Sequence, residues 1–247
     1  MSAPRLSVVI PAVSGAAAAQ ACENSIRRLD GAEDVEIIVV PARAGATLCQ
    51  LRAEGVRRAT AGTIAILGDR YEVTPQWLQA ALQPAQFDAT GGCISPSPRF
   101  GYFGWCVYFS EYARLAPLGL PGGNTVYRAA AIDAGRLAAS ATELSFHAAL
   151  LATGASAGRL SALEVVLAAP PGVGEYLGER FAFSFAIARE RRQPWRLLLS
   201  PLLPFVVLMR TAAASLRWLA CAPVILALGV VQAAGDFLGH AAAGMSF

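Results

Sequence analysis

Apolar and polar positions come in ordered blocks over the first two-thirds of the chain. Leu6-Ser7-Val8-Val9-Ile10-Pro11 is a short apolar run closed by proline, the pattern of a buried strand. Val35 to Pro41 and Thr63 to Leu67 repeat that pattern. Between them, the Ala-rich stretch Gly15 to Leu29 and the stretch Leu48 to Ala59 predict helices. Arg27 and Arg28 suit the negative end of the first. Strand, helix, strand, helix, strand with short connections predicts an α/β unit on a parallel sheet. Ligands bind at the carboxyl ends of such strands. Pro11, Pro41 to Arg43, and Gly68 to Arg70 are therefore expected to converge on one crevice.

Further along, Pro75 to Ala85 predicts a helix that buries Trp77 and Leu78. Gly91 to Pro96 predicts a strand running into a loop. Phe100 to Tyr112 is strongly aromatic. Gly122-Gly123 predicts a turn into a short strand ending at Arg128. Helices are expected over Ala129 to Gly135 and Glu143 to Gly154, and a final short strand over Val165 to Leu167. From Glu179 the pattern changes. Arg180, Arg189, Arg191, Arg192 and Arg196 surround the Phe-rich stretch Phe181 to Ile187. Two apolar runs follow, Leu197 to Met209 and Leu219 to Ala234. Both fall short of the ~20 residues of a clean membrane span, and Pro201, Pro204 and Pro223 interrupt them. An interfacial helix, a re-entrant hairpin, a tilted span and a pair of buried helices all fit. Membrane association is the reading adopted, since a small domain offers no second core for this much apolar surface. The expected division is residues 1–178 as the α/β domain and 179–247 as a membrane-associated tail. The Arg-rich approach to the tail would face the cytoplasm.

Composition narrows the classes. Of 247 residues, 55% are hydrophobic and only 15% charged, which argues against disorder. All 20 basic residues are Arg and the net charge is +3, too mild to suggest a nucleic-acid partner. The five cysteines have no CxxC spacing and read as reduced, buried thiols. The N-terminus leads directly into a strand, without the charged start and apolar core of a signal peptide. Dinucleotide-type glycine spacing, a serine nucleophile elbow and an HExxH helix are all missing.

The candidate chemistry is sparse. Asp69 follows the third strand. It reads as a turn cap, or as a ligand to a metal or to the ribose of a nucleotide. One carboxylate plus substrate phosphates can hold Mg²⁺; alternatively Arg70 neutralises a diphosphate directly. Glu143 opens a helix, as a first-turn acid favoured by the dipole or as a general base. His147 lies on the same helix face, as a core histidine or a second polar group of a cleft. Trp105, Glu111 and Tyr112 form an aromatic and acidic stretch suited to packing or to sugars. Gly122 and Gly123 allow close backbone approach to a ligand, flanked by Asn124 and Arg128. Arg52, Arg57 and Arg58 read first as a solvated helix face.

In their order and spacing these segments resemble inverting family-2 glycosyltransferases with the GT-A fold, over nearly the whole length. Leu6 to Ala12 is similar to the family's first strand and Glu36 to Val40 to its second. Arg52 through Leu67 resembles the stretch that delivers the metal-binding acidic motif, and Pro75-Gln76-Trp77-Leu78 its usual sequel. Gly122 to Arg128 is similar to the acceptor-side segment. The tail resembles a membrane-associated bacterial subgroup. The resemblance implies a nucleotide-diphosphate sugar donor, a lipid-linked or cell-envelope polysaccharide acceptor, and a cytoplasm-facing site at the inner membrane. It implies Glu143 as catalytic base. It places Pro11, Ala12, Arg43, Arg52, Asp69 and Arg70 at the donor, and Trp105, Glu111, Gly123, Asn124 and Arg128 at the acceptor. A divalent metal, Mg²⁺ or Mn²⁺, would rest on Asp69. There are departures. The family's base-binding Asp is replaced by Pro41-Ala42-Arg43, its paired Asp motif is reduced to Asp69, and Thr142 replaces its usual Glu. They leave a second reading open: a catalytically degenerate transferase fold acting as a scaffold at the membrane.

Overall fold

The computed structural model describes residues 3–115, 120–191, 202 and 220–245, with side chains excepted at 111–115, 190–191 and 243–245. Strand β1 (Leu6–Ala12) is buried at every position. It pairs in parallel with β2 (Val35–Pro41) on one side and with β3 (Thr63–Leu67) on the other. The three expected strands are thus adjacent and parallel. Helix α1 (Ala16–Arg27) follows β1. Helix α2 (Leu48–Arg58) starts from a capping box, in which Thr47 and Gln50 satisfy each other's backbone N–H groups.

The remaining strands are β4 (Tyr71–Val73), β5 (Ala89–Pro96), β6 (Asn124–Arg128) and β7 (Ala157–Leu167). The sheet order is β2-β1-β3-β6-β5-β7-β4. β6 runs antiparallel to β3, so Asn124 sits beside Leu67 and Arg128 beside Thr63. Helix α3 (Pro75–Ala81) buries Trp77 and Leu78 completely. Against the other side of the strands, Val9, Ile38, Val40, Ile64 and Ile66 pack with Leu51, Tyr127 and Phe146.

Several elements differ from expectation. β7 has eleven residues instead of three, because its largely exposed start, Ala157 to Arg159, is held through its backbone by β5. Ala129 to Gly135 is not a helix. Asp133 instead caps α5 (Ala134–Ala139), accepting from Gly135 N–H at 2.7 Å and Arg136 N–H at 3.1 Å. Helix α3 stops at Ala81, and β4 was not expected at all.

The chain forms two units. The first, Met1–Ser97 with Leu115–Ala169, holds the sheet and α6 (Glu143–Ala152). The second, Pro98–Arg114 with Pro170–Phe247, is helical. The chain therefore passes between units three times, where its pattern suggested one boundary at 178/179. The second unit contains α4 (Tyr102–Leu115) but for its last residue, α7 (Val173–Arg191) and α8 (Ala222–Met245). In it Cys106 and Phe109 pack on Cys221 and Ile225, and Val107 on Tyr176 and Leu228. The apolar run Leu197 to Met209 lies outside the described residues except for Leu202. The run Leu219 to Ala234 falls largely within α8, which is 24 residues long and contains a 21-residue stretch, Ala222–Ala242, long and apolar enough to cross a membrane.

Candidate active site

At the junction of β3 and β6, Gly68 N–H donates to the Gly123 carbonyl at 2.8 Å. Gly123 has φ +73°, the left-handed region that favours glycine. A Cβ there would meet Arg52 Nη2 at 3.3 Å and Gly68 N at 3.4 Å. That conformation turns the Gly123 N–H onto Glu143 Oε2 at 2.8 Å. The same oxygen accepts from Arg52 Nη1 at 2.5 Å. One residue, Gly123, therefore links the end of β3 to the Glu143 carboxylate.

Three elements position this pair. Arg52 projects from the buried face of α2, whereas Arg57 and Arg58 are exposed. The solvated-face reading thus holds for two of the three arginines and fails for Arg52. Glu143 is the first residue of α6, where the helix dipole favours a carboxylate; Thr142 caps the helix, accepting from Ser145 N–H at 3.1 Å. The two side chains are 6% and 5% exposed. On the other side of the carboxylate, Tyr127 Oη donates to Glu143 Oε1 at 3.4 Å and shares a 2.6 Å hydrogen bond with His147 Nε2. Arg52 Nε has no partner among the described residues.

Burial, with Arg52 adding to it and Glu143 opposing, lowers the pKa of His147 below its ordinary value. Burial, then the Glu143 charge, raises that of Tyr127 well above the phenol range. In the unfolded chain a histidine titrates near pH ~6.5. Below that pH the unfolded state takes up a proton that the folded state refuses. Stability is therefore expected to fall as the pH drops from ~6.5 toward the lower folded value. Denaturant titrations at stepped pH should show a shallower acid loss in His147→Gln than in the wild type. Equal slopes would mean that His147 does not carry the effect.

Asp69 is 4% exposed. It accepts from Ser14 N–H at 2.6 Å and Ser14 Oγ at 2.9 Å, tying the end of β3 to the loop after β1. The Cys22 thiol donates to Gly68 O at 3.6 Å, and burial beside Asp69 pushes its pKa up. Pro11 and Ala12 are buried at the end of β1. Arg43, just past β2, forms an ion pair with Glu54. The Arg70 carbonyl accepts from Ala168 N–H at 2.9 Å.

Some expected site residues are employed elsewhere. Asn124 is fully buried. Its Oδ1 accepts from Trp77 Nε1 at 2.8 Å, and its Nδ2 donates to the carbonyls of Cys93 and Leu163 at 2.9 Å. Its side chain is spent on tying strands together, away from solvent. Arg128 stands at the opposite end of β6, bound to the Ala85 carbonyl at 2.7 Å and to Asp88 at 3.5 Å. Trp105 belongs to the second unit, stacked on Phe109 with ring centroids 5.7 Å apart. The side chain of Glu111 lies outside the described residues. Sequence reasoning missed Ser14 and Tyr127. Ser14 stands just before a helix start, where such a residue is a capping signal; Tyr127 reads as one more residue of an apolar strand.

No group of three His, Cys, Asp or Glu side chains among the described residues could enclose a metal; a divalent ion would have to share Asp69, whose oxygens each accept from Ser14, with substrate phosphates.

No protein-family model matches the chain, and no curated protein matches it. Solved structures do. A mannosyltransferase from Pyrobaculum calidifontis, in complex with GDP-Man and Mn²⁺, superposes with a TM-score of 0.57 at 15% identity, over 96% of this chain and 88% of that one. S. aureus TarS 1–349 in complex with UDP-GlcNAc gives 0.48 at 9% identity, over 96% and 91%. Together with the seven-stranded mixed sheet and its flanking helices, the first likeness establishes the fold as that of the GT-A glycosyltransferases.

Proposed function

We propose that the chain is an inverting glycosyltransferase that moves a hexosyl group from a nucleotide-diphosphate sugar to a lipid-linked or cell-envelope acceptor at the cytoplasmic face of a membrane. The observation that carries this reading is the Arg52–Glu143–Gly123 cluster, buried where β3 ends in a GT-A fold. A buried ion pair is a poor way to gain stability compared with apolar packing. Its location, at the carboxyl end of a parallel strand, is where such folds bind ligands. The mannosyltransferase neighbour, solved with GDP-Man, supports a sugar nucleotide as donor.

In the proposed reaction the acceptor hydroxyl attacks the anomeric carbon opposite the leaving diphosphate. The new C–O bond forms as the old one breaks, and configuration inverts. Glu143 takes the hydroxyl proton. In the structure both its oxygens face internal donors, so it must first be unmasked. A diphosphate competes for the Arg52 guanidinium, and Arg52 moving toward it removes the charged donor from Glu143 Oε2, leaving only Gly123 N–H on that oxygen. Asp69 and Ser14, with Pro11, Ala12, Arg43 and Arg70, would form the donor side, and the Gly122-Gly123 backbone the acceptor side. No step is routed through a metal.

Thermal denaturation with nucleotide diphosphates and their sugars, with and without Mg²⁺ or Mn²⁺, tests the reading. At a hundredfold excess over Kd, a ligand of the folded state adds ~2.7 kcal/mol. Asp69→Asn should reduce the shift by weakening the donor side. If no nucleotide sugar shifts the wild type, the second reading holds: a transferase fold serving as a scaffold at the membrane. That reading is favoured by one observation, that the Asp69 and Glu143 carboxylates are both spent on internal hydrogen bonds.

A further inference from the structure

Helix α8 is inverted relative to a helix of a soluble core. Its exposed positions are Pro223, Ala227, Val230, Ala234, Phe237 and Leu238. They recur at three- and four-residue spacing, so they form one stripe, apolar throughout and about 22 Å long at ~1.5 Å per residue. The polar residues of the helix turn the other way. Gln232 and Asp236 are half-buried and His240 is 1% exposed, with Nε2 3.7 Å from Asp236.

The buried face of α8 is locked onto α7. A Cβ on Gly235 would lie 2.5 Å from the Phe181 carbonyl, and one on Gly239 2.5 Å from that of Phe185. Only glycine allows two backbones this close, as in small-xxx-small pairs. The register rises together along both helices. Leu228 meets Tyr176, Gly235 meets Phe181, and Gly239 meets Phe185 and Ala188. The pair is parallel.

That register decides how α8 can meet a bilayer. Glu179 and Arg180 of α7 lie level with the middle of the apolar stretch Ala222–Ala242. The exposed positions among the described side chains of α7 are Val173, Gly174, Glu175, Gly178, Glu179, Ala182 and Arg189, and the three charged ones among them need water. If α8 crossed a membrane, the locked α7 would carry these charges into hydrocarbon, where they are costly. Exposed charges on α7 at levels that a spanning α8 would place in hydrocarbon, beside a dry stripe on α8, suit a surface, not a span. We propose that the α7–α8 pair lies in the plane of the bilayer, with the apolar stripe of α8 sunk at the boundary of headgroups and acyl chains and the exposed charges of α7 kept in the headgroup layer. The proposal rests on the membrane association proposed above and adds its geometry.

The test uses the full chain with phosphatidylcholine–phosphatidylglycerol vesicles. Flotation reports association. Nitroxides placed singly at Pro223→Cys, Val230→Cys and Phe237→Cys, in a Cys93→Ser background that leaves only buried native thiols, report depth by oxygen and nickel-chelate collision. All three should lie at one depth, about 5–10 Å into the boundary region. If α8 crosses, Val230 will sit roughly 10 Å deeper than either flank, and the in-plane geometry is overturned while association stands. Absence of flotation overturns association itself. The double substitution Val230→Asp with Phe237→Asp should reduce vesicle partition at least tenfold while circular dichroism stays native. A lipid-free dimer that shields the three labels would give the stripe to a second copy and overturn the proposal.

Discussion

Glu143→Gln should lower sugar transfer by about 10²–10⁴-fold, the usual loss when a positioned general base is removed. The amide keeps the shape of the carboxylate and can still accept from Gly123 N–H, so the turn before β6 is preserved. It cannot take a proton from an acceptor hydroxyl. Donor binding should change little, because in the proposed reaction the diphosphate engages Arg52, not Glu143. Single-turnover measurements at saturating donor, well below the melting temperature of the variant, separate lost chemistry from lost folding. A retained nucleotide-induced thermal shift with collapsed turnover is the expected pair of results. Full turnover in the variant would mean that another group takes the proton, and Glu143 would then be a structural residue that holds the Gly122-Gly123 turn.

The first three strands were legible because a buried parallel strand is a short apolar run between turn signals, and β1, β2 and β3 have little else. The crevice followed from their direction alone. Pairwise geometry was not legible. Asn124 and Arg128 are four residues apart in one strand, which reads as one neighbourhood. At ~3.4 Å per residue the strand carries them to opposite ends of the sheet. Arg52 looked like Arg57 and Arg58, since all three lie on one helix; only the fold shows that it points at Glu143. The start of β7 has no apolar alternation, because backbone pairing with β5 defines it. The length of α8 was underestimated because Gly235, Asp236 and His240 interrupt the apolar run. Those residues face the protein, and the stripe of Ala234, Phe237 and Leu238 continues past them.

The second large effect is expected at Arg52. Arg52→Met should destabilise the protein by about 3–5 kcal/mol, because it leaves the Glu143 carboxylate buried without its counter-charge. Both side chains are almost fully out of water, so solvent screens little of this loss. For a domain whose total stability is ~5–15 kcal/mol, that is a large share. The variant should therefore unfold at much lower denaturant, with an unchanged m value. The double variant Arg52→Met with Glu143→Gln removes both charges and keeps an acceptor for Gly123 N–H. It should be more stable than the sum of the single losses implies, by ~1–3 kcal/mol, the range for directly coupled neighbours. Additivity within ~0.5 kcal/mol would show that the two residues do not act as a pair. The same cycle bears on function. If the guanidinium is shared between Glu143 and the donor diphosphate, the double variant regains stability and still binds nucleotide poorly. If Arg52 serves the carboxylate alone, stability and nucleotide binding recover together.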